Sequence, residues 1–202
     1  RALFQQLDQA KTREDMLAAA AYLATVTGGN GRMGAIGFCY GGAIANFLAT
    51  RLPGLRAAVP FYGSGAPLAD VPAINAELLV VLASDDERVN AGWPAYEAAL
   101  KAAGKTYTLL QPADTLHGFH NDTTPRYAPE AAKQALAWSR DDLLVADSVA
   151  IGIIALEINV GIEQDITSWK LQWGVNWLPY LGQPNYSPDQ VSRWRGTDYF
   201  EM

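Results

Sequence analysis

The chain has 202 residues, half of them hydrophobic and 18% charged, which suits one domain or one domain with a small appendage and excludes a disordered chain. Its net charge is −6, with 15 Lys+Arg against 21 Asp+Glu, so nothing electrostatic favours nucleic acid as a partner. A single Cys excludes an intramolecular disulfide framework and any zinc site with two or more thiolates, and two His leave little for a His-rich metal site.

In chain order, Thr12-Arg13-Glu14-Asp15 reads as a capping box with Thr12 as N-cap. Met16, Leu17, Ala20, Leu23 and Ala24 follow at helical spacing, and Gly28-Gly29-Asn30-Gly31 stops that helix. Met33 to Phe38 is a short apolar run and predicts a buried strand, followed by a small-residue helix from Gly41 to Leu48. Ala57 to Tyr62 predicts a second strand, closed by Gly63-Ser64-Gly65. Leu78 to Leu82 predicts a third and Tyr107 to Leu110 a fourth, with helices over about 92–103 and 127–139 between and after them. Apolar strands alternating with helices point to an α/β fold with a mostly parallel sheet.

The composition changes near Arg140. Residues 1–140 hold 12 Lys+Arg and 12 Asp+Glu, whereas residues 141–202 hold 3 and 9. The same tail carries Trp169, Trp173, Trp177 and Trp194, four of the six Trp. This predicts a first unit over 1–140 and an atypical acidic, Trp-rich tail over 141–202. Val149 to Gly161 reads as one strand, two strands or a helix; Trp169, Trp173 and Trp177 share helical spacing, but Gly174, Asn176 and Pro179 oppose a long helix. Leu143 to Ile162 is the most apolar stretch, yet Asp147 and Glu157 would cost about 3 kcal/mol each inside a bilayer, so no membrane partner is expected. No signal peptide opens the chain, which makes cytoplasm the default expectation, although the chain begins with Arg1 rather than Met.

One segment carries chemistry. Gly37-Phe38-Cys39-Tyr40-Gly41-Gly42 lies between an apolar strand and a small-residue helix, the setting of a nucleophile elbow with Cys where Ser is commoner. Such a turn strains the nucleophile's backbone and needs Gly on both sides. It aims the Tyr40 N–H at a forming oxyanion, and the positive end of the helix favours a thiolate. A nucleophile needs a base and the base an orienting group. His117 and His120 are the two candidates for the base. In the order nucleophile, acid, His, the acid falls within Ser84-Asp85-Asp86-Glu87, directly after the Leu78–Leu82 strand.

The segment Arg32-Met33-Gly34-Ala35-Ile36-Gly37-Phe38-Cys39-Tyr40-Gly41-Gly42 strongly resembles the elbow of dienelactone hydrolases (carboxymethylenebutenolidases). Ala83-Ser84-Asp85-Asp86-Glu87-Arg88-Val89-Asn90-Ala91-Gly92 resembles that family's acid loop, and Leu116-His117-Gly118-Phe119-His120-Asn121-Asp122 its His loop. The resemblance covers roughly residues 12 to 138. It implies a three-layer α/β-hydrolase fold and a hydrolase of small esters or enol-lactones acting through a thioester acyl-enzyme, with no cofactor and no metal. Carried over by position, Cys39 is the nucleophile, Asp86 the acid, His117 the base and Tyr40 the oxyanion donor. Asp86 is preferred to Asp85 because it stands three residues before hydrophobic Val89. His117 is preferred to His120 because a small residue and then Phe follow it. Phe38, Tyr62, Arg88 and Asn121 are the implied substrate contacts. Asn121 stands where some members place an Arg that binds a substrate carboxylate, a role Arg88 or Arg126 could take.

About 31 residues precede the elbow block. Family members have several strands and loops there, supplying a second oxyanion donor and a Glu that contacts the nucleophile. On this comparison the chain is the back portion of a longer fold, and a sheet edge left unpaired would favour self-association. The alternative expectations are a catalytically inactive member that serves as a binding or assembly piece through its aromatic tail, and a redox-responsive protein built on a low-pKa Cys39.

Overall fold

The computed structural model describes residues 6–25, 32–145, 153–157 and 174–176. In chain order the elements are α1 (Gln9–Leu23), β1 (Met33–Phe38), α2 (Tyr40–Arg51), β2 (Leu55–Phe61), a 3-10 turn (Leu68–Ala73), β3 (Glu77–Val81) and α3 (Glu87–Asn90). There follow α4 (Trp93–Ala102), β4 (Tyr107–Leu110), α5 (Pro129–Val145), β5 (Ile153–Glu157) and β6 (Gly174–Asn176). The expected strands and helices are present, with ends shifted by a few residues.

The start of α1 corrects the expected capping box. Asp8 is the N-cap, and its Oδ1 accepts the N–H groups of Ala10 and Lys11 at 3.0 Å each. Thr12 lies one turn inside, with its hydroxyl donating to the Asp8 carbonyl at 2.9 Å. Asp15 pairs with Lys11 instead of reaching back to a cap. Asp is the stronger cap of the two, so the helix begins four residues earlier.

The six strands run in the order β4-β3-β2-β1-β5-β6. Every neighbouring pair from β4 to β5 is parallel, and β6 returns antiparallel to β5. Consecutive residues of β3 divide between two cores, as strands buried on both faces require. Leu78 and Val80 join Met16, Ile44, Leu48 and Leu100 on one face. Leu79 and Val81 join Val59, Phe61, Phe119 and Ala135 on the other. The sheet is thus the middle layer, with α1, α2 and α4 on one side and α5 on the other, which is the three-layer α/β-hydrolase arrangement.

Parallel strands deliver their C-terminal loops to one edge of a sheet. Here β1 leads to Cys39, β2 to Tyr62, β3 to Asp86 and β4 to His117. Arg140, where the composition changes, falls inside α5. Within Val149 to Gly161, residues Ile153–Glu157 form a strand that pairs with β1, Glu157 standing in register with Phe38. Gly174–Asn176 is also strand. Trp169, Trp173, Trp177 and Trp194 lie outside the described residues. No helix among the described residues is long and apolar enough to cross a membrane.

Candidate active site

Cys39 stands at the N-cap of α2 with φ 56° and ψ −114°, a strained conformation for a residue with a side chain. Its N–H donates to the Phe61 carbonyl at 3.0 Å, so the end of β2 holds the turn. Two glycines make the turn possible. A Cβ on Gly37 would lie 2.0 Å from the Gly41 carbonyl oxygen, and one on Gly42 would lie 2.5 Å from that of Phe61. The helix therefore springs directly from the strand, and the half-buried thiol sits at its positive end.

The structure brings His117 and Asp86 to this thiol. His117 Nε2 lies 3.1 Å from Cys39 Sγ, and His117 Nδ1 lies 2.5 Å from Asp86 Oδ2. Asp86 is 6% exposed and also caps α3, its Oδ1 accepting the Val89 N–H at 3.4 Å. Val89 is the third residue of this capped helical turn, and its side chain is buried in the core, which accounts for the hydrophobic residue three positions on. Asp85 is exposed, and its N–H donates to the Thr115 carbonyl at 2.8 Å. His120 lies apart from this row, its ring 4.9 Å from Phe38 and 5.6 Å from Phe61.

The electrostatics of the two central groups agree. Burial pushes the Cys39 thiol up, but the His117 hydrogen bond and charge, the Tyr40 N–H and the Arg88 charge outweigh it and hold the thiol below its ordinary value. His117 is raised above its ordinary value, chiefly by its bond to Cys39 and, against burial, by the Asp86 carboxylate. Both shifts favour a thiolate–imidazolium pair. Burial lowers His120 below its ordinary value.

The Tyr40 N–H reaches the Cys39 sulfur, and its hydroxyl donates away from the site to Gln9 Oε1 at 2.6 Å. Phe38 is half-buried, its ring 4.5 Å from that of Phe61 and tilted 34° to it. Tyr62 is buried at 2% exposure, with its ring 5.0 Å from that of His117. Arg88 is exposed on α3. Asn121 Oδ1 accepts the Thr123 N–H and hydroxyl at 2.9 and 2.7 Å, so this side chain braces its own turn. Arg126 lies against Gly118, beside His117.

Thr115 was not singled out from sequence, yet it ties the two loops together. Its Oγ1 accepts the Ser84 N–H at 3.0 Å, and its own N–H donates to Ser84 Oγ at 3.0 Å. Within the acid loop, Asn90 Nδ2 donates to the carbonyls of Ala83 and Ser84 at 2.8 and 3.2 Å. Ser and Thr are ordinary in loops, and the Ser84–Thr115 pairing across 31 residues leaves no local pattern. Phe119, fully buried, anchors the His loop in the core. Among the described residues no cluster of three or more His, Cys, Asp or Glu could hold a metal ion.

The sequence model of the Dienelactone hydrolase family matches residues 1–142. A Saccharolobus solfataricus protein named "Putative carboxymethylenebutenolidase" is 34% identical over 137 residues, covering 66% of this chain and 52% of the relative. A Bradyrhizobium protein named "Probable 2-oxo-3-(5-oxofuran-2-ylidene)propanoate lactonase" is 31% identical over 146 residues, covering 65% of this chain and 58% of the relative. Among solved structures, a dienelactone hydrolase-like promiscuous phosphotriesterase from metagenomic libraries superimposes with a TM-score of 0.60 at 25% identity. That match covers 69% of this chain and 62% of the other. The chain spans about half the length of the curated relatives it matches.

Proposed function

The chain belongs to the dienelactone hydrolase family, and from that premise we propose that it hydrolyses small esters or lactones through a covalent Cys39 intermediate. The observation that carries the reading is the continuous row from the Cys39 sulfur through the His117 ring to the Asp86 carboxylate, with contacts of 3.1 and 2.5 Å.

The chemistry follows from that row. The Cys39 thiolate attacks the carbonyl carbon, and the π electron pair moves onto the carbonyl oxygen. The Tyr40 N–H and the positive end of α2 stabilise the charge that develops there. The intermediate collapses by breaking the bond to the leaving oxygen, which takes the proton from His117 Nε2. A thioester on Cys39 remains, and His117 is neutral. Water then attacks the thioester while His117 takes its proton, and the thiolate leaves as the carboxylic acid forms. The imidazolium that results faces Asp86, which holds the Nδ1 proton and stabilises the charge.

The substrate class comes from the same balance. A preformed thiolate is a good nucleophile and a good leaving group, so the first intermediate goes forward readily only when the leaving oxygen also departs easily. Aryl esters and enol-lactones meet that condition, and amides do not. The test is hydrolysis of an aryl acetate by this chain beside its Cys39→Ala variant. Activity should disappear with the substitution. Equal rates for the two proteins would refute the hydrolase reading and favour an inactive family member with a binding role.

A further inference from the structure

We propose that Tyr62 is a positioning residue for His117, whose buried ring holds the imidazole plane between Cys39 and Asp86. The proposal rests on the reading of His117 as the base, and goes beyond it by assigning what keeps that base in place.

The two hydrogen bonds of His117 leave from Nδ1 and Nε2, on nearly opposite sides of the ring. They fix its position along the line joining the two partners. They resist tilt about that line only weakly, because the ring can turn around the axis through both nitrogens. Something must therefore press on the ring from outside the hydrogen-bonded row. Tyr62 does so, its ring centroid 5.0 Å from that of His117 at 61° to its plane. The same ring meets Phe119, two residues further along the His loop, at 5.6 Å and 67°. Contacts of this tilted, edge-on kind are favourable and directional.

The backbone of Tyr62 points to the same role. Its φ is +36°, a region that strains any residue with a side chain. The chain places Tyr there although the next residue is Gly63. The Tyr62 N–H donates to the Val81 carbonyl at 2.7 Å, at the end of the strand that leads to Asp86. One residue thus fastens its backbone to the acid strand and its side chain to the His loop. At 2% exposure it offers a substrate almost no surface, so its effect on turnover passes through His117.

The test compares Tyr62→Phe, Tyr62→Leu and Tyr62→Met in aryl acetate hydrolysis and in the pH dependence of Cys39 alkylation by iodoacetamide. The Phe variant keeps the ring, and its kcat should stay within about threefold of the parent, whereas Leu and Met should lower kcat about ten- to a hundredfold with little change in KM. Both should also move the alkylation profile to higher pH, because a tilted imidazole lowers the thiol less. A Leu or Met variant that is less stable but keeps the parent's kcat and alkylation profile would overturn the proposal, and so would a Phe variant as impaired as Leu. If neither aliphatic variant folds, NMR of the parent decides. Cross-peaks between the Tyr62 and His117 ring protons are expected, and their absence overturns the proposal. The hydrolase reading fails separately, when Cys39→Ala keeps activity, an outcome that leaves the alkylation comparison intact.

Discussion

Replacing Asp86 by Asn isolates the electrostatic part of the site. The substitution keeps the side chain's size, and Asn caps helices about as well as Asp, so α3 should be disturbed by no more than about 1 kcal/mol. What is lost is the charge-assisted hydrogen bond that His117 Nδ1–H donates to a carboxylate that is 6% exposed. Such bonds contribute about 1.5–3 kcal/mol, or about 10- to 150-fold in rate if the whole amount is felt when the imidazolium forms. A further loss follows if the Asn amide donates to Nδ1. The imidazole proton is then forced onto Nε2, where it faces the thiol, and that wrong tautomer costs about 10⁴-fold in Ser-His-Asp hydrolases. The expected fall in kcat for aryl acetate hydrolysis therefore lies between about 10- and 10⁴-fold. Urea denaturation of the same protein should show a midpoint close to the parent's. A variant that keeps more than half of the parent's kcat, or whose activity falls only as its folded fraction falls, would refute the role given to Asp86.

Three further outcomes follow from the same geometry. His117→Ala removes the two strongest influences that lower the Cys39 thiol and leaves burial, which raises it; iodoacetamide alkylation should reach its plateau at lower pH in the parent and at clearly higher pH in the variant. The parent's kcat/KM should be bell-shaped in pH, falling on the acid side as the lowered thiol is protonated and on the basic side as the raised His117 loses the proton it gives to the leaving oxygen. Gly37→Ala places a methyl group 2.0 Å from the Gly41 carbonyl oxygen, and a thermal melt should show a loss of about 3 kcal/mol or more, or no folded protein.

The fold was legible because its strands are apolar runs set between glycines and helical repeats. Met33–Phe38 and Tyr107–Leu110 lie where the sequence places them, since each is a mostly apolar run bounded by polar or turn residues. The candidate site has local signals of its own. The elbow demands glycine by steric contact, and the short helix that Asp86 caps turns Val89 into the core, so a local spacing marks both places. Thr12 shows the limit of such patterns. Its capping box is sound in isolation, but Asp8 offers a stronger cap one turn earlier, and the longer helix wins. Tyr62 and Thr115 show another limit. Their partners lie 55 and 31 residues away in His117 and Ser84, and only the folded sheet edge brings them together. The sequence leaves Ile153–Glu157 open between strand and helix because these alternatives differ in tertiary partner, here β1, rather than in local pattern.

The covalent intermediate is the most direct test. The chain would be mixed with an excess of aryl acetate, quenched in acid within the first turnovers, digested and mapped by mass spectrometry. The account predicts one acetyl group on the peptide that contains Cys39, formed in a burst with the release of the aryl alcohol. Turnover at an undiminished rate with Cys39 unmodified throughout, or with the acetyl group on another residue, would contradict it.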